Sequence, residues 1–489
     1  MNGFTRPLFG LILACTFLLV AGCGGSSGGG SAARTGQVAV LITDGPTDEY
    51  ERVLITLSSM ILIGSGGQQV IYDGEPITFD LLKLRDRADF AFSQTITEGD
   101  YSKIRLQVDE VRLVDLGDPA DPADDVEEVL DNLAANGKID LNPRGPFSVV
   151  ADKTTVISLD IDAQRSFQVV ETGNSRLKLR PVIFVDVFQD DIVLPNRLIR
   201  AFGRVDSVDE ATESLVLCDL QFVAAQDAPA DADNCARVFA GSAAHFGADA
   251  MAIDFATLAQ AIADSDNPLL TAIGFPGIPD DAAPDGVVLD LDAVVNEFGA
   301  RKTDTDPGWE TTDGLVQTDP STVGCDNMKC VDFLPAGAAD PITVQVQTET
   351  RVFARDGTEL GQGDIAQGVA GAFDGLRVPL GAGEALRASL FVVGPAPGEN
   401  LLSGTLTAVT IGDELDTLSV QPETGDPVAV CVTADTDILR ILVDGDAVSI
   451  LDLLDPAVLD PSEDLQVDIA GNDSTLEGCD VDAELVIVE

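Results

Sequence analysis

Few side chains in this sequence have the type and spacing that catalysis requires. His245 is the only histidine and so the one candidate for a histidine general base. Ser242 lies three residues before it, but no serine has the strand, sharp turn and helix around it that a Gly-x-Ser-x-Gly nucleophile needs. The phosphate-binding Gly-x-x-x-x-Gly-Lys loop and the dinucleotide fingerprint are absent. We expect His245 to have a structural role.

A pair of carboxylates is the second chemistry to consider, because glycoside hydrolysis needs only two. Asp160 and Asp162 are two residues apart on an expected strand, so their side chains share one face, where mutual repulsion can raise one pKa. Sugar sites usually also contain aromatic platforms, and the chain has one tryptophan, Trp309, and three tyrosines. We expect the two aspartates to be solvated or to pair with Arg165 or Arg180. A carboxylate-based envelope glycan hydrolase is the third functional hypothesis.

Clustered aspartates offer the oxygen ligands that calcium prefers. The candidates are Asp44 and Asp48 around a turn, Asp118, Asp121, Asp124 and Asp125 in an acidic loop, and Asp231 and Asp233 beside Cys235. None matches the calcium loop of twelve residues with glycine sixth and glutamate last. Solvated acidic loops are the expectation, and calcium at one of these clusters is the alternative. No other cofactor is expected.

The charge balance restricts the class of partner. The chain has 83 acidic and 28 basic residues, which gives a net charge of −55 at pH 7. Such a surface repels phosphate backbones, so we expect no nucleic-acid partner. The length of 489 residues exceeds a typical domain of about 100–200 residues, so three or four domains are expected.

The N-terminus has the features of an export signal. Arg6 precedes an apolar run over residues 7–20, which is too short to cross a bilayer core that needs about 20 apolar residues. The run ends in Leu19-Val20-Ala21-Gly22-Cys23, which resembles the lipobox of bacterial lipoproteins. The resemblance implies a signal peptide over residues 1–22, cleavage before Cys23 and acylation of that cysteine. An ordinary signal peptide with an incidental cysteine is the alternative.

A flexible tether is expected over residues 23–36. Residues 24–31 are only glycine and serine, which cannot form a core and would hold the first domain about 20 Å from the lipid. Gly24 stands where the resemblance to enteric lipoproteins would place an aspartate for retention in the inner membrane. We therefore expect a lipid-anchored envelope protein, in the outer rather than the inner membrane, on the periplasmic side or at the cell surface.

Six cysteines remain after the signal peptide and the lipidation position. An even number in an exported protein predicts disulfides. Among fifteen possible connectivities we expect the nearest-neighbour one, which joins Cys218 to Cys235, Cys325 to Cys330 and Cys431 to Cys479. A zinc site at Cys325 and Cys330 is the minor alternative, since no histidine and no second cysteine pair lies at ligand spacing.

Alternation of apolar and polar residues begins after the tether. Val38, Val40 and Ile42 are the first example of a pattern typical of strands with one buried face. Glycine, proline and asparagine turns separate such strands, and we expect an antiparallel β-sandwich over 37–190. The alternation stops at an acidic, proline-containing insertion, within which Val126–Ala135 could form a short helix.

Six motifs in this stretch occur in the order found in a bacterial lipoprotein domain. They are Thr43-Asp44-Gly45-Pro46, Val53-Leu54-Ile55-Thr56-Leu57, Phe79-Asp80-Leu81-Leu82, Gly99-Asp100-Tyr101-Ser102-Lys103-Ile104-Arg105-Leu106, Leu159-Asp160-Ile161-Asp162-Ala163-Gln164-Arg165-Ser166 and Leu177-Lys178-Leu179-Arg180-Pro181-Val182-Ile183. With them, residues 37–188 resemble the family catalogued as domain of unknown function 4382. The departures are Gly45, where alanine is expected, and the acidic insertion. The family has no established activity, so the resemblance implies an architecture and leaves the function open.

The rest of the chain repeats itself loosely. Three segments each open with a glycine among alternating apolar residues and hold a cysteine pair and a strand of similar character. The openings are Phe202–Val208, Thr312–Val316 and Leu402–Val409, and the similar strands are Ala236–Phe239, Thr350–Phe353 and Asp435–Ile438. The pattern is similar to the small β-barrel module catalogued as domain of unknown function 5666. We expect modules at 195–305, 306–398 and 399–489, with a helix in the insertion Ala248–Asp264.

The sequence therefore predicts an all-β protein, in which an antiparallel β-sandwich is followed by about three small β-barrel or sandwich modules with minor helical insertions. The leading hypothesis is a non-catalytic envelope lipoprotein with a structural, adhesive or partner-binding role. Its expected partners are the membrane, through the lipid, and envelope proteins or extracellular ligands. A calcium- or cation-dependent ligand-binding protein is the second hypothesis.

Overall fold

The computed structural model describes residues 33–489 apart from 46–49, 51, 66, 86, 116–125, 131–132, 163–165, 171–175, 180, 190–196, 226–233, 304–305, 324, 326–327, 337, 382, 395–399, 413–414, 423–424, 434–435, 445–446, 454, 464, 475, 477 and 489. Residues Arg34–Glu489 form one compact unit made almost entirely of strands, which confirms the all-β prediction. Short 3₁₀ helices occur at Leu81–Leu84, Ala134–Gly137, Gln362–Asp364, Pro456–Val458 and Pro461–Glu463. No helix in the described ranges is long and apolar enough to cross a membrane.

The N-terminal sandwich contains thirteen of the described strands. They are β1 (Thr35–Gly45), β2 (Arg52–Gly64), β3 (Gly67–Tyr72), β4 (Ile77–Asp80), β5 (Ala88–Thr97), β6 (Gly99–Asp115), β7 (Val126–Leu130), β8 (Lys138–Asn142), β9 (Phe147–Val149), β10 (Thr154–Asp162), β11 (Phe167–Val170), β12 (Arg176–Leu179) and β13 (Ile183–Phe188). One sheet has the order β13-β10-β1-β5. The other has the order β8-β6-β2-β3, with β4 beside β2 and with β7 and β9 beside β6. Strands β11 and β12 form a separate hairpin.

Strand β1 differs from the sequence prediction in two ways. It pairs in parallel with β10, so the first sheet is mixed rather than wholly antiparallel. The chain passes through the second sheet between these two strands, and it returns beside β1 in the same direction. Both faces of β1 are also buried, because Val40 packs in the sandwich core while Leu41 packs in a second core shared with the next module.

The expected helix over Val126–Ala135 is wrong for its first half. Val126–Leu130 is strand β7, which pairs antiparallel with the end of β6. The exposed edge of β6 supplies hydrogen-bonding partners that a local pattern cannot reveal. The helix expected in Ala248–Asp264 is confirmed as α1 (Phe255–Ala263), which begins with the side chain of Asp254 accepting the amide of Thr257 at 2.8 Å.

The remaining strands form three small barrels. Barrel 1 contains β14 (Ile199–Asp209), β15 (Ser214–Gln221), β16 (Cys235–Phe239), β17 (Ala244–Phe246), β18 (Ala252–Ile253), α1, β19 (Leu269–Gly277) and β20 (Val287–Phe298). Barrel 2 contains β21 (Trp309–Val316), β22 (Lys329–Pro335), β23 (Ile342–Ala354), β24 (Glu359–Leu360), β25 (Ala370–Leu380) and β26 (Gly383–Val393). Barrel 3 contains β27 (Asn400–Thr410), β28 (Asp416–Gln421), β29 (Val428–Val432), β30 (Asp437–Asp444), β31 (Ala447–Leu453), β32 (Gln466–Asp473) and β33 (Val481–Val488).

The three barrels share one connectivity. Each barrel has five main strands, which we number one to five along the chain: β14, β15, β16, β19 and β20 in barrel 1, β21, β22, β23, β25 and β26 in barrel 2, and β27, β28, β29, β32 and β33 in barrel 3. Strand two pairs with strands one and three, strand one also pairs with strand four, and strand five pairs with strands three and four. The third and fifth strands run parallel in every barrel, as β16 and β20, β23 and β26, and β29 and β33. This closed five-stranded Greek-key order is that of the OB fold. The expectation of three small β modules is confirmed.

The glycines that open each repeat have a common structural reason. Gly203, Gly314 and Gly404 lie on strand one of their barrels, pressed against strand two. A Cβ atom at these positions would lie only 2.1–2.5 Å from a carbonyl oxygen of strand two. No side chain fits there, so glycine recurs at this position of each repeat, where two strands approach closely as the small barrel closes.

In two of the barrels, a threonine is hydrogen-bonded to the backbone of strand five. The hydroxyls of Thr350 and Thr436 each donate to a carbonyl of strand five, on Ala388 and Ala483, at 2.7 Å. Each hydroxyl also accepts the amide three residues earlier at 2.9 Å. In barrel 1, two successive segments pair with strand five, first β16 and then β17. Thr350–Phe353 and Asp435–Ile438 belong to the second such segment in their barrels. Ala236–Phe239 lies on β16, so it belongs to the first segment and does not match them in position.

Two strand pairings join the sandwich to the barrels. Strand β5 pairs in parallel with β14 of barrel 1. Strand β8 pairs in parallel with β31 of barrel 3. Barrels 1 and 2 share an apolar contact that includes Phe246, Trp309 and Phe353. The modules are therefore joined by sheets and cores as well as by the chain.

Candidate functional site

A buried cluster of charges lies where the sandwich, barrel 1 and barrel 2 meet. We call it the ionic junction, and its members are Arg87, Asp89, Arg200, Glu297, Arg301 and Asp374. Each of these residues is at most 9% exposed. Three positive and three negative side chains balance one another, and such pairing is what allows charges to be buried.

The pair of Asp89 and Arg200 connects the sandwich to barrel 1. The two residues are opposite one another where β5 meets β14. Arg200 donates from Nε and from one Nη to the two carboxylate oxygens of Asp89, at 2.8 and 2.9 Å. Asp89 also accepts the amide of Ala224 at 3.1 Å. A buried two-pronged pair of this kind fixes both distance and orientation.

Arg301 and Thr311 extend the junction into barrel 2. Arg301 donates to Glu297 at 3.0 Å and to Asp374 at 3.4 Å. The hydroxyl of Thr311 accepts from Arg200 at 3.0 Å and from Arg301 at 3.1 Å, and it donates to Asp374 at 2.6 Å. One threonine therefore links the arginines of the first contact to the carboxylate of the second.

Two further contacts complete the junction. Arg87, which directly precedes β5, forms an ion pair with Asp374 on β25. Ser389 on β26 donates to Glu297 on β20 at 2.5 Å. The junction therefore joins the sandwich to barrel 2 directly, and barrel 1 to barrel 2.

Burial and like charge act together on Arg301. Removal from water, followed by the positive charges of Arg200 and Arg87, lowers the pKa of Arg301 to about 9, although the carboxylates of Glu297 and Asp89 oppose this. The guanidinium therefore stays charged at neutral pH. Each carboxylate of the junction is paired with an arginine.

The motif Thr43-Asp44-Gly45-Pro46 also contacts residues that lie outside the sandwich, next to barrel 1 and in barrel 2. The backbone carbonyl of Asp44 accepts from Arg197 at 3.1 Å and from Arg355 of barrel 2. Arg197 donates in addition to the carbonyl of Arg85 at 3.1 Å and to Asp160 at 3.0 Å. The carbonyl of Asp44 thus takes part in contacts between modules.

One family model matches the part of the chain that forms the sandwich. Residues 35–181 match the family model for the domain of unknown function DUF4382. This match confirms the predicted resemblance and extends from the start of β1 to just before β13. The family description assigns no activity. No curated protein matches the chain.

The predicted calcium ligands are only partly described. Asp44 lies in the DUF4382 domain and is fully buried. Asp48, Asp118, Asp121, Asp124 and Asp125 lie outside the described residues, as do Asp231 and Asp233. Among the side chains that the structure does describe, no group of three or more acids, cysteines or histidines could hold a metal ion. Calcium at the acidic loops stays a prediction.

The two carboxylates considered for glycan hydrolysis have different surroundings. Asp160 is 34% exposed and pairs with Arg197, whereas Asp162 is 3% exposed. The pairing of Asp160 with an arginine agrees with the expectation, although the partner is one that the sequence did not suggest. Arg165 and Arg180 lie outside the described part of the chain.

His245 of barrel 1 is buried beside apolar and amide groups. Burial lowers the pKa of His245, although the charges of Glu213 and Asp254 oppose the shift. Its Nδ1 lies 3.3 Å from the amide nitrogen of Asn296, and the ring meets Phe255 edge-on. The imidazole packs as part of the barrel wall.

The expected disulfides are confirmed. Cys218 is bonded to Cys235, Cys325 to Cys330 and Cys431 to Cys479, and each bond lies within one barrel. These bonds also remove the zinc alternative at Cys325 and Cys330. Cys23, the predicted lipidation site, lies outside the described residues, so its acylation stays a prediction.

Two cavities border the DUF4382 domain. A small apolar space of about 30 Å³ lies between its sheets, lined by residues such as Ile42, Phe79 and Leu159. A polar cleft of about 320 Å³ separates the start of β1 from the loop that joins β19 and β20. Asp152, Asp280 and Asp281 line the cleft, and Lys153 pairs with Asp281 at 3.2 Å.

The residues of the ionic junction escaped the sequence analysis because they lie far apart in the chain. A signal was nevertheless present. Asp374 interrupts the apolar run Ala372-Phe373-Asp374-Gly375-Leu376, and Asp89 lies between Ala88 and Phe90. A carboxylate at an otherwise apolar position predicts a buried ion pair, but only the fold supplies the partner.

Proposed function

We propose that the protein is a non-catalytic lipoprotein of the cell envelope, in which a lipid on Cys23 anchors a rigid assembly with a structural, adhesive or partner-binding role. The observation that carries this proposal is the ionic junction. It occupies the meeting point of three modules and pairs charged side chains of each with those of the others.

The contacts of the junction argue for fixed module geometry. Asp89 and Arg200 are buried and bonded twice, and breaking one partner of such a pair costs about 3–5 kcal/mol. The shared pairing of β5 with β14 adds backbone hydrogen bonds across the same boundary. A rigid arrangement presents partner-binding surfaces without the entropic cost of ordering them on contact.

The anchor and the charge suit an envelope location. The tether that follows Cys23 would hold the assembly about 20 Å from the lipid, and its net charge of −55 keeps it away from anionic headgroups. The outer membrane is the favoured address because Gly24 follows the acylated position.

Labelling with a radioactive fatty acid tests the anchor. We expect the full chain to take up the label and to enter the detergent phase on phase separation. Cys23→Ser abolishes both, whereas Cys15→Ser, a cysteine within the signal peptide, leaves both unchanged. Equal labelling of wild type and Cys23→Ser would refute the anchored lipoprotein.

The polar cleft favours a second candidate function, the binding of a cationic ligand. Its three aspartates face one lysine, and Arg237 already engages Asp280 at 2.9 Å. Titration calorimetry with calcium chloride and, separately, with a diamine tests this function. Absence of heat with both ligands, together with an unchanged melting temperature, would reject cation binding.

A further inference from the structure

Strand β3 lies at one end of the second sheet of the sandwich. Along one edge it pairs with β2, from Gly64 with Gly67 to Met60 with Tyr72. No other described strand pairs with β3, so the backbone groups along its second edge have no strand partner. Strands β7 and β13 are the comparable edges of the sandwich, because each of them also pairs with a single neighbour.

The composition of β3 differs from that of the other two edges. Natural edge strands are commonly protected by charged side chains, and β7 and β13 include Glu127, Glu128 and Asp186. Residues 53–72, which cover β2 and β3, include no charged side chain, although charged residues make up 23% of the whole chain. A free and uncharged edge in so highly charged a protein is suited to pair with another strand.

The inner face of β3 holds the strand in an extended form. Ile71 is buried in the core of the sandwich, and the ring of Tyr72 packs on that of Phe92 of β5, with centroids 5.1 Å apart. Val70 is 39% exposed, and Gln68 is exposed as well. Because the sandwich already orders β3, only the partner's own segment has to be ordered when a strand is added.

Two acidic side chains follow β3 directly. Asp73 and Glu75 are exposed, and the charges of Glu75 and Asp73 add to the effect of burial in raising the pKa of Tyr72. The hydroxyl of Tyr72 also donates to the carbonyl of Glu75, which keeps this turn close to the strand. In the described part of the chain, no lysine or arginine pairs with either carboxylate. An added strand would therefore meet a neutral edge that ends at two negative charges.

We propose that the free edge of β3 binds an extended segment of another envelope protein by strand addition. The segment has uncharged side chains along residues 68–70 and a lysine or arginine beside Asp73 and Glu75. Antiparallel pairing is the more stable arrangement, and it places this basic residue at the amino end of the segment. Backbone hydrogen bonds supply the affinity, and the opposite charges set the direction. This inference rests on the partner-binding role proposed above and names the class of partner.

The probe for the first test is a synthetic peptide of alternating valine and threonine with two lysines at its amino end. We expect the peptide to bind the full chain in fluorescence anisotropy and to slow amide hydrogen exchange in β3, but not in β21 of barrel 2. No binding, or slowed exchange in another strand and not in β3, would overturn the proposal.

Two companion peptides separate strand addition from unspecific attraction to an acidic protein. With glutamates in place of the lysines, the peptide should bind about tenfold more weakly or worse. With prolines in place of the valines, it keeps its charge but loses backbone donors, so it should not slow exchange in β3. Slowed exchange in β3 by the proline peptide would contradict pairing through the backbone.

The second test changes the edge itself. Val70→Lys introduces the kind of charge that protects edge strands and repels the basic peptide, so the dissociation constant should rise about tenfold or more. Leu315→Lys is the matched control, because Leu315 is also 39% exposed but lies on β21, which pairs along both edges with β22 and β25. Equal dissociation constants for the two variants would refute addition to β3.

A second copy of the chain is the competing occupant of this edge. We expect the Cys23→Ser chain to sediment as a monomer without peptide. A dimer that Val70→Lys dissociates would show that β3 pairs with itself, and it would overturn the assignment to a partner segment. Peptide binding does not require the lipid, so its failure would leave the result of fatty-acid labelling standing, and the two proposals can fail separately.

Discussion

At the scale of single residues, the ionic junction shows why few charges suffice to orient large modules. Asp89 is fully buried and accepts three hydrogen bonds, two of them from Arg200. Buried and fully paired, such a group holds one geometry. Left unpaired, its partner becomes an isolated charge in an apolar surrounding.

The first prediction follows from this asymmetry. Asp89→Ala leaves Arg200 buried without its carboxylate and should lower the free energy of unfolding by about 3–5 kcal/mol in urea denaturation. Asp219→Ala, which breaks the partly exposed pair with Arg204, should change it by less than about 1 kcal/mol. A similar loss in both variants would show that the junction contributes nothing beyond a surface pair.

The second prediction concerns pH and Asp140 on β8. Burial raises the pKa of Asp140, but the hydrogen bonds from Arg105 and Lys103 outweigh burial and lower the pKa below its ordinary value of 3.8. A carboxyl whose pKa is lowered in the folded state stabilises the fold fully at pH values above its pKa in the unfolded chain. That contribution disappears as the pH falls through the lower folded value.

Asp140→Asn should therefore cost about 1–3 kcal/mol at pH 7, and the difference from wild type should shrink steadily below about pH 4. Unfolding in urea at a series of pH values measures both. Asp219→Asn serves as the control. A constant difference between Asp140→Asn and wild type down to pH 2 would contradict the assigned pKa direction.

At the scale of the element, the glycine on the first strand is what lets each barrel close. Gly404 lies so near strand two that an added Cβ would be 2.5 Å from the carbonyl oxygen of Gln421. Gly363 is a matched control, because a Cβ there would meet nothing within 4 Å.

The third prediction is that Gly404→Ala destabilises the protein by about 1–3 kcal/mol, as forced overpacking does. Gly363→Ala should be nearly neutral. Differential scanning calorimetry measures both variants. If Gly404→Ala melted at the wild-type temperature, the close approach of strands one and two would not be needed for closure.

The disulfides give a fourth prediction, ordered by loop length. Cys431 and Cys479 are 48 residues apart, whereas Cys325 and Cys330 are 5 apart. If each bond acts by restricting the unfolded chain, replacing both cysteines by serine should cost about 4 kcal/mol for the longer loop and about 2 kcal/mol for the shorter one. Chemical denaturation of the two double variants tests this order, and a reversed order would argue against the entropic account.

At the scale of the whole molecule, shared sheets couple the modules. The pairings of β5 with β14 and of β8 with β31 make the DUF4382 domain continuous with the first and the last barrel. Small modules have thin cores, so each gains stability from the surface that its neighbours cover.

The fifth prediction is cooperative unfolding of the sandwich with barrels 1 and 2. Calorimetry of residues 34–489 should show one main transition for them, because the ionic junction would have to break for any one to unfold alone. Asp374→Ala removes the carboxylate that Arg87, Arg301 and Thr311 all reach, and it should split that transition. Separate transitions already present in wild type would contradict the coupling.

Much of the fold could be read from local patterns. Alternating residues such as Val38, Val40 and Ile42 indicated strands, because side chains point to opposite faces of any strand. The repeated glycines and cysteine pairs marked three modules, since each barrel needs the same close approach and closes its own short loop.

Only the tertiary structure decided how these strands meet. The parallel pairing of β1 with β10, the strand at Val126–Leu130 and the pairing of Asp160 with Arg197 all depend on residues that lie next to one another only after folding. The ionic junction depends on the same condition, because Arg87 and Asp374 are far apart in the chain and no local period connects them. Alternation specifies which face of a strand is buried, whereas a charge is buried only where a distant partner arrives to neutralise it.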